Sequence, residues 1–118
     1  MANNYNVAPI KIDTAMTSGW RASQTLNTGT ITLTSPSGVV TTVPAQRGLW
    51  VIKVIWENPT TVGHTFSISD PNASTTVLLA GACGVAGQDV EYDFVNAAQW
   101  RDFKVTQISS GVLYIYFR

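Results

Sequence analysis

His64 is the only histidine in the chain, and so the only side chain of ordinary pKa placed to act as a general base near neutral pH. A Ser-His-Asp arrangement built on it needs a carboxylate behind the ring. Asp70 follows six residues later on the same apolar-polar stretch, which at a strand's rise puts it about 20 Å away. Asp89 and Asp93 can reach the ring only from another strand. A lone histidine that opens a strand after Gly63 therefore reads as structural or exposed rather than catalytic. Asp89, Glu91 and Asp93 form a second candidate, an i, i+2, i+4 row on one strand face. Such oxygens could ligate Ca²⁺ or supply the acid and base of glycoside hydrolysis. The glycine-containing calcium loop is missing, and acids alternating with Val90, Tyr92 and Phe94 more simply keep a sheet face soluble, or meet a neighbour's Arg or Lys.

Gly81-Ala82-Cys83-Gly84-Val85-Ala86-Gly87 has the glycine content of a phosphate loop without its Lys-Ser/Thr ending or a following helix. It reads as a flexible connection between strands. Cys83 has no His or Lys near it in sequence to lower its pKa, so it is not expected to be a nucleophile. No catalytic residue, cofactor or metal ligand is assigned, and the chain is expected not to be an enzyme. The aromatic residues remain. Trp50 and Trp56 fall on the regular apolar face of residues 49–57 and read as core. Trp20, Trp100, Tyr114 and Tyr116 are free to face a partner, either a sugar ring or another protein.

The elements that must carry these side chains are strands. Residues 29–34 alternate strictly, Ser35-Pro36-Ser37-Gly38 turns, and 39–43 returns as a hairpin. Residues 49–57 are apolar on both faces, as for a central strand. Residues 64–70 alternate with His64, Phe66 and Ile68 on one side. Residues 75–80 add a strand, and 88–95 place Val90, Tyr92 and Phe94 inward. At the end, Ser109-Ser110-Gly111 separates two apolar runs and predicts a closing hairpin, with Leu113, Ile115 and Phe117 inward and Tyr114 and Tyr116 outward. No stretch keeps helical periodicity over three turns. Strands recurring about every ten residues predict an all-β, antiparallel sandwich, jelly-roll-like, of about eight strands. Residues 1–12 read as an extended N-terminal arm, disordered or laid as an edge strand, and 13–118 as one domain.

Composition narrows the partners. The 118 residues carry seven basic and seven acidic side chains, 12% charged in all, which leaves little repulsion between copies and favours association. The basic residues are scattered, which speaks against nucleic acid. One cysteine cannot make an internal disulfide. The N-terminus has neither the basic nor the apolar region of a signal peptide, and the longest apolar stretch is too short to span a bilayer. Synthesis in the cytoplasm, without membrane association, is the expectation.

Residues 51–56 with 63–70 (Val-Ile-Lys-Val-Ile-Trp and Gly-His-Thr-Phe-Ser-Ile-Ser-Asp), and 100–105 leading into 110–116, together give a layout that resembles the small β-sandwich virion proteins of tailed bacteriophages, the capsid decoration or head-associated kind. It covers about the second half of the chain. The resemblance implies a cement protein on the outer capsid, made in the host cytoplasm and bound to the major capsid protein or another virion protein. It also implies a homo-oligomer, expected to be a trimer that gains avidity from repeated sites. The contact residues expected are Tyr5, Val7 and Ile10 of the arm, Trp20 and Arg21, and the Tyr114–Tyr116 face. A carbohydrate- or receptor-binding module of a tail or head fibre, using exposed Trp and Tyr rings, is the other expectation.

Overall fold

The computed structural model describes residues 9–25, 30–38, 40–44, 50–72, 76–100 and 102–117. They form ten strands: β1 (Ile10–Ile12), β2 (Trp20–Thr25), β3 (Thr30–Thr34), β4 (Val40–Pro44), β5 (Trp50–Glu57), β6 (Thr65–Ser69), β7 (Val77–Ala82), β8 (Val90–Gln99), β9 (Asp102–Ile108) and β10 (Val112–Phe117). They make two antiparallel sheets, β1-β10-β5-β8 and β4-β3-β2-β9-β6-β7. With the β3–β4 hairpin set aside, β1-β10-β5-β8 facing β2-β9-β6-β7 is the pairing order of an eight-stranded jelly roll. β3 and β4 extend the second sheet beyond β2. The two strands beyond the expected eight are β1, which grows out of the arm, and β2, whose sequence Trp-Arg-Ala-Ser-Gln-Thr has no clean alternation to announce it.

The core fills the space between the sheets. Val54, Trp56, Leu113 and Ile115 come from the first sheet and Phe66, Ile68, Phe103 and Val105 from the second, all essentially without solvent exposure. Trp56 stands edge-on to Phe66, with ring centroids 4.9 Å apart, and Phe66 edge-on to Tyr92 at 5.6 Å, so one aromatic chain ties β5, β6 and β8 across the sandwich. Tyr92 closes that side over Gly81 of β7, where any β-carbon would overlap its hydroxyl. Phe66 and Ile68 of residues 64–70 and the inward sets read from 88–95 and 112–117 lie on the core side, while His64 precedes β6.

Four readings change. The closing hairpin does not form. β9 pairs with β2 and β6 whereas β10 pairs with β1 and β5, so the Ser-Ser-Gly turn is an arch from one sheet to the other. The end of the arm takes the edge-strand form, but as part of the sandwich: Ile10 and Ile12 pair with Ile115 and Leu113 of β10 and are buried at 5% and 6% exposure. In β5, a register break around Ile52 moves Val51 into the core and leaves Trp50 only half-buried, so parity along the strand does not hold at its start. Residues 81–83 are not a loose connection: Gly81 and Ala82 belong to β7, and Cys83 is buried, its N–H donating to the His64 carbonyl at 2.7 Å.

Candidate docking surface

The register of the first sheet sets what its outer face displays. Lys11, Tyr114, Ile55 and Glu91 stand side by side in one row across β1, β10, β5 and β8. Tyr116, Lys53 and Asp93 make the next row. Because Ile10, Leu113, Val54 and Trp56 take the inner side of the same strands, strand alternation sends this set outward. Tyr114, Tyr116, Lys53 and Ile55 are half-buried, and Lys11, Glu91 and Asp93 exposed. Lys53 Nζ lies 5.5 Å from the Tyr116 ring centre and 3.9 Å from the Glu91 carboxylate, holding the tyrosine ring and the acid row in one surface. Glu91 and Asp93 of the acid row and the tyrosine face, separate features of the sequence, thus belong to one sheet face. Lys11, Lys53 and Ile55 are its members that the sequence reading did not single out. The Ile-Lys-Ile alternation of residues 10–12 was a signal for Lys11.

The other expected contact residues fall elsewhere. Ile10 is core and cannot meet a partner through its side chain, and Tyr5 and Val7 lie outside the described residues. Trp100, expected to be free, is buried at 4% exposure between Phe94 and Phe103. Trp20 is half-buried and stacks nearly parallel to Phe103, with centroids 6.4 Å apart. It also lines an open groove of about 550 Å³ between residues 9–17 and the Ser35-Pro36-Ser37 turn. Arg21 is exposed, and its Nε lies 3.4 Å from Oδ2 of Asp102, directly across the β2–β9 pair.

Asp102 is itself buried, and among the described residues its Oδ1 has no hydrogen-bond partner. Burial pushes its carboxyl pKa above the ordinary 3.8, against the opposing pull of the Phe103 N–H, the Arg21 charge and the Asn72 amide. In the window between the ordinary and the raised value, the folded state holds this proton more tightly than the unfolded chain does. Stability from this group is therefore lost as pH rises through that window. Urea unfolding at several pH values should show this loss in the wild type and not in Asp102→Asn.

At the arch, His64 Nδ1 is 2.7 Å from Ser110 Oγ, a pair of the kind that activates a serine. The same Oγ accepts the Thr60 N–H at 2.9 Å, and the Ser110 carbonyl accepts the Trp56 indole N–H at 2.9 Å. Among the described residues no carboxylate is hydrogen-bonded to His64 to orient it. The arrangement is a clamp that ties the 58–64 loop to the arch. Asp89 Oδ1 accepts the Asn58 N–H at 2.9 Å and fastens the same loop from the β8 side. Among the described residues no three His, Cys, Asp or Glu side chains gather to hold a metal ion. The chain matches no protein-family model, no curated protein and no solved structure.

Proposed function

We propose that this chain is a structural protein of a tailed bacteriophage. In this reading it decorates the outer capsid as an oligomer and reinforces it, bound to the major capsid protein or another virion protein, with the outer face of its four-stranded sheet as the surface through which its copies assemble. The observation that carries the reading is that face: two tyrosines and an isoleucine on its central strands beside Lys53, which lies against the Tyr116 ring, with Lys11 on one edge strand and Glu91 and Asp93 on the other. Tyrosine in the centre and charge at the rim is the make-up of a surface covered by protein. The near absence of net repulsion between copies supports the same reading, as does the resemblance of residues 51–56 with 63–70, and 100–105 with 110–116, to virion sandwiches. The jelly roll itself is neutral here, since the fold serves capsid and lectin domains alike.

Replacing Tyr114 and Tyr116 together with serine should lower occupancy of capsids by about tenfold or more. The melting temperature should stay within a few degrees, because the inward residues of β10 are untouched. Occupancy measured by co-sedimentation with undecorated capsids decides it, and full occupancy by the variant removes this face from consideration.

The groove beside β1 favours a second reading. Trp20 there shares the lining with Thr14, Thr17, Ser35 and Ser37 and with apolar residues such as Ile12 and Met16, an aromatic ring with hydroxyl-bearing residues in the same groove, as a sugar site would need. Saturable binding on a glycan array, abolished in Trp20→Ala and unaffected by the tyrosine pair, would put carbohydrate recognition ahead of coat assembly.

A further inference from the structure

The outer face of the four-stranded sheet carries its charge in an order that runs across the strands. In the row Lys11–Tyr114–Ile55–Glu91 a cation stands on edge strand β1 and an anion on the opposite edge strand β8, with an aromatic and an aliphatic side chain between them. Asp93 continues the acid edge in the next row, beyond Tyr116 and Lys53. Among the described residues Lys11 and Asp93 make no ion pair.

Two copies of such a face can meet about a two-fold axis lying between them, and aligned sheet packing sets that axis close to either the strand direction or its perpendicular. An axis across the strands sets β8 on β8 and stacks the acid row of one copy against that of the other, which is repulsive. An axis along the strands exchanges the edges. It lays β1 over the β8 of the second copy and β10 over its β5, and keeps each row opposite itself. Lys11 then faces Glu91 of the second copy, Tyr114 packs on Ile55, and each contact occurs twice. Sheets packed this way stand about 10 Å apart and about 30° from parallel, a gap that Lys and Glu side chains span and an angle that keeps the central rows opposed.

The geometry points to a second copy of this chain as the occupant of this face, paired about a two-fold axis parallel to the strands. This rests on the reading of that face as the assembly surface, and it replaces the expected three-fold arrangement, because a three-fold contact joins two different patches and this face is complementary to itself. Four strands at about 4.8 Å spacing and about 20 Å of length give a footprint near 400 Å², under the roughly 800 Å² per partner of a standard interface. The pair is accordingly weak and reversible in solution, and sensitive to salt.

Sedimentation equilibrium on the purified protein alone, up to the millimolar range and at low and high salt, tests it by charge exchange. The wild type should approach twice the 12.7 kDa chain mass as concentration rises. Lys11→Glu and Glu91→Lys should each weaken association about tenfold, since each change turns two attractive contacts repulsive. The double exchange, Lys11→Glu with Glu91→Lys, should return affinity to within about threefold of the wild type. Both residues changed, Lys11 and Glu91, are exposed, and melting curves confirm that each variant folds. A mass that stays at one chain throughout, a trimer, or a dimer indifferent to the exchange overturns the pair. These outcomes are separate from capsid occupancy. A monomer that still decorates capsids through its tyrosine face sinks the pair alone, and a charge-dependent dimer that never decorates capsids sinks the virion reading and upholds the pair.

Discussion

Gly111→Ala is expected to lower the free energy of unfolding by about 3–4 kcal/mol, a large share of what holds a domain of this size together. Two costs coincide at this position. Gly111 has φ of +77°, in the left-handed region where a β-carbon is strained by about 1 kcal/mol or more. A β-carbon here would also lie 2.6 Å from the Glu57 carbonyl oxygen, 2.9 Å from the Trp56 indole nitrogen and 3.1 Å from the Pro59 nitrogen. Two of those neighbours are backbone and the third belongs to a buried side chain, so none can move aside without disturbing the arch, and overpacking of this kind adds about 1–3 kcal/mol. Gly38 is the internal control. Its φ is +90°, yet among the described residues nothing lies within 4 Å of a β-carbon there. Gly38→Ala should therefore show only the conformational cost, about 1–2 kcal/mol. Urea unfolding of both variants separates the two contributions, and equal losses at the two glycines would mean that the arch is not tightly packed at all.

The same arch shows where local sequence information ends. Ser-Ser-Gly between two alternating runs is equally the signature of a hairpin and of a crossing between sheets. Which one forms depends on where β9 and β10 find their partners. β10 pairs with residues 51–57, and β9 with residues 66–69, each more than thirty residues back along the chain. The alternation in 64–70, 88–95 and 112–117 was legible because a half-buried strand needs only its own period of two to separate core from surface. In β5 that rule failed at its first residues, since a break in register exchanges inner and outer faces and leaves no mark in an all-apolar run. The docking surface was legible in pieces for the same reason. Tyr114 and Tyr116 were readable as outward, and so were Asp89, Glu91 and Asp93. That one sheet face unites the tyrosines with Glu91 and Asp93, with Lys53 and Ile55 between, follows from β10-β5-β8 adjacency. Trp100 misled because it follows no alternation. It lies between β8 and β9, and Phe94 and Phe103 cover it from the two sides.

Trp56→Ala is expected to remove about 3–5 kcal/mol of stability, the usual cost of truncating a buried tryptophan, and to lower the melting temperature by roughly 10–20 °C. Trp56 has no solvent exposure, meets Phe66 edge-on, and donates its indole N–H to the Ser110 carbonyl across the arch. Trp56→Phe divides these roles. It keeps most of the ring volume and withdraws the donor, leaving a carbonyl short of its partner at a cost of about 1–2 kcal/mol. The two variants also bear on assembly. Trp56 occupies the inner side of β5 directly after Ile55, which faces outward at the centre of the proposed pair. A change that loosens β5 from the core should therefore weaken association together with the melting temperature. The tyrosine pair and Lys11→Glu should weaken association while the melting temperature holds. Calorimetry and sedimentation on the same samples make that contrast visible. If Trp56→Ala melts far lower yet associates as the wild type does, the outer face is held by its own cross-strand contacts, and the core beneath it is not what keeps it flat.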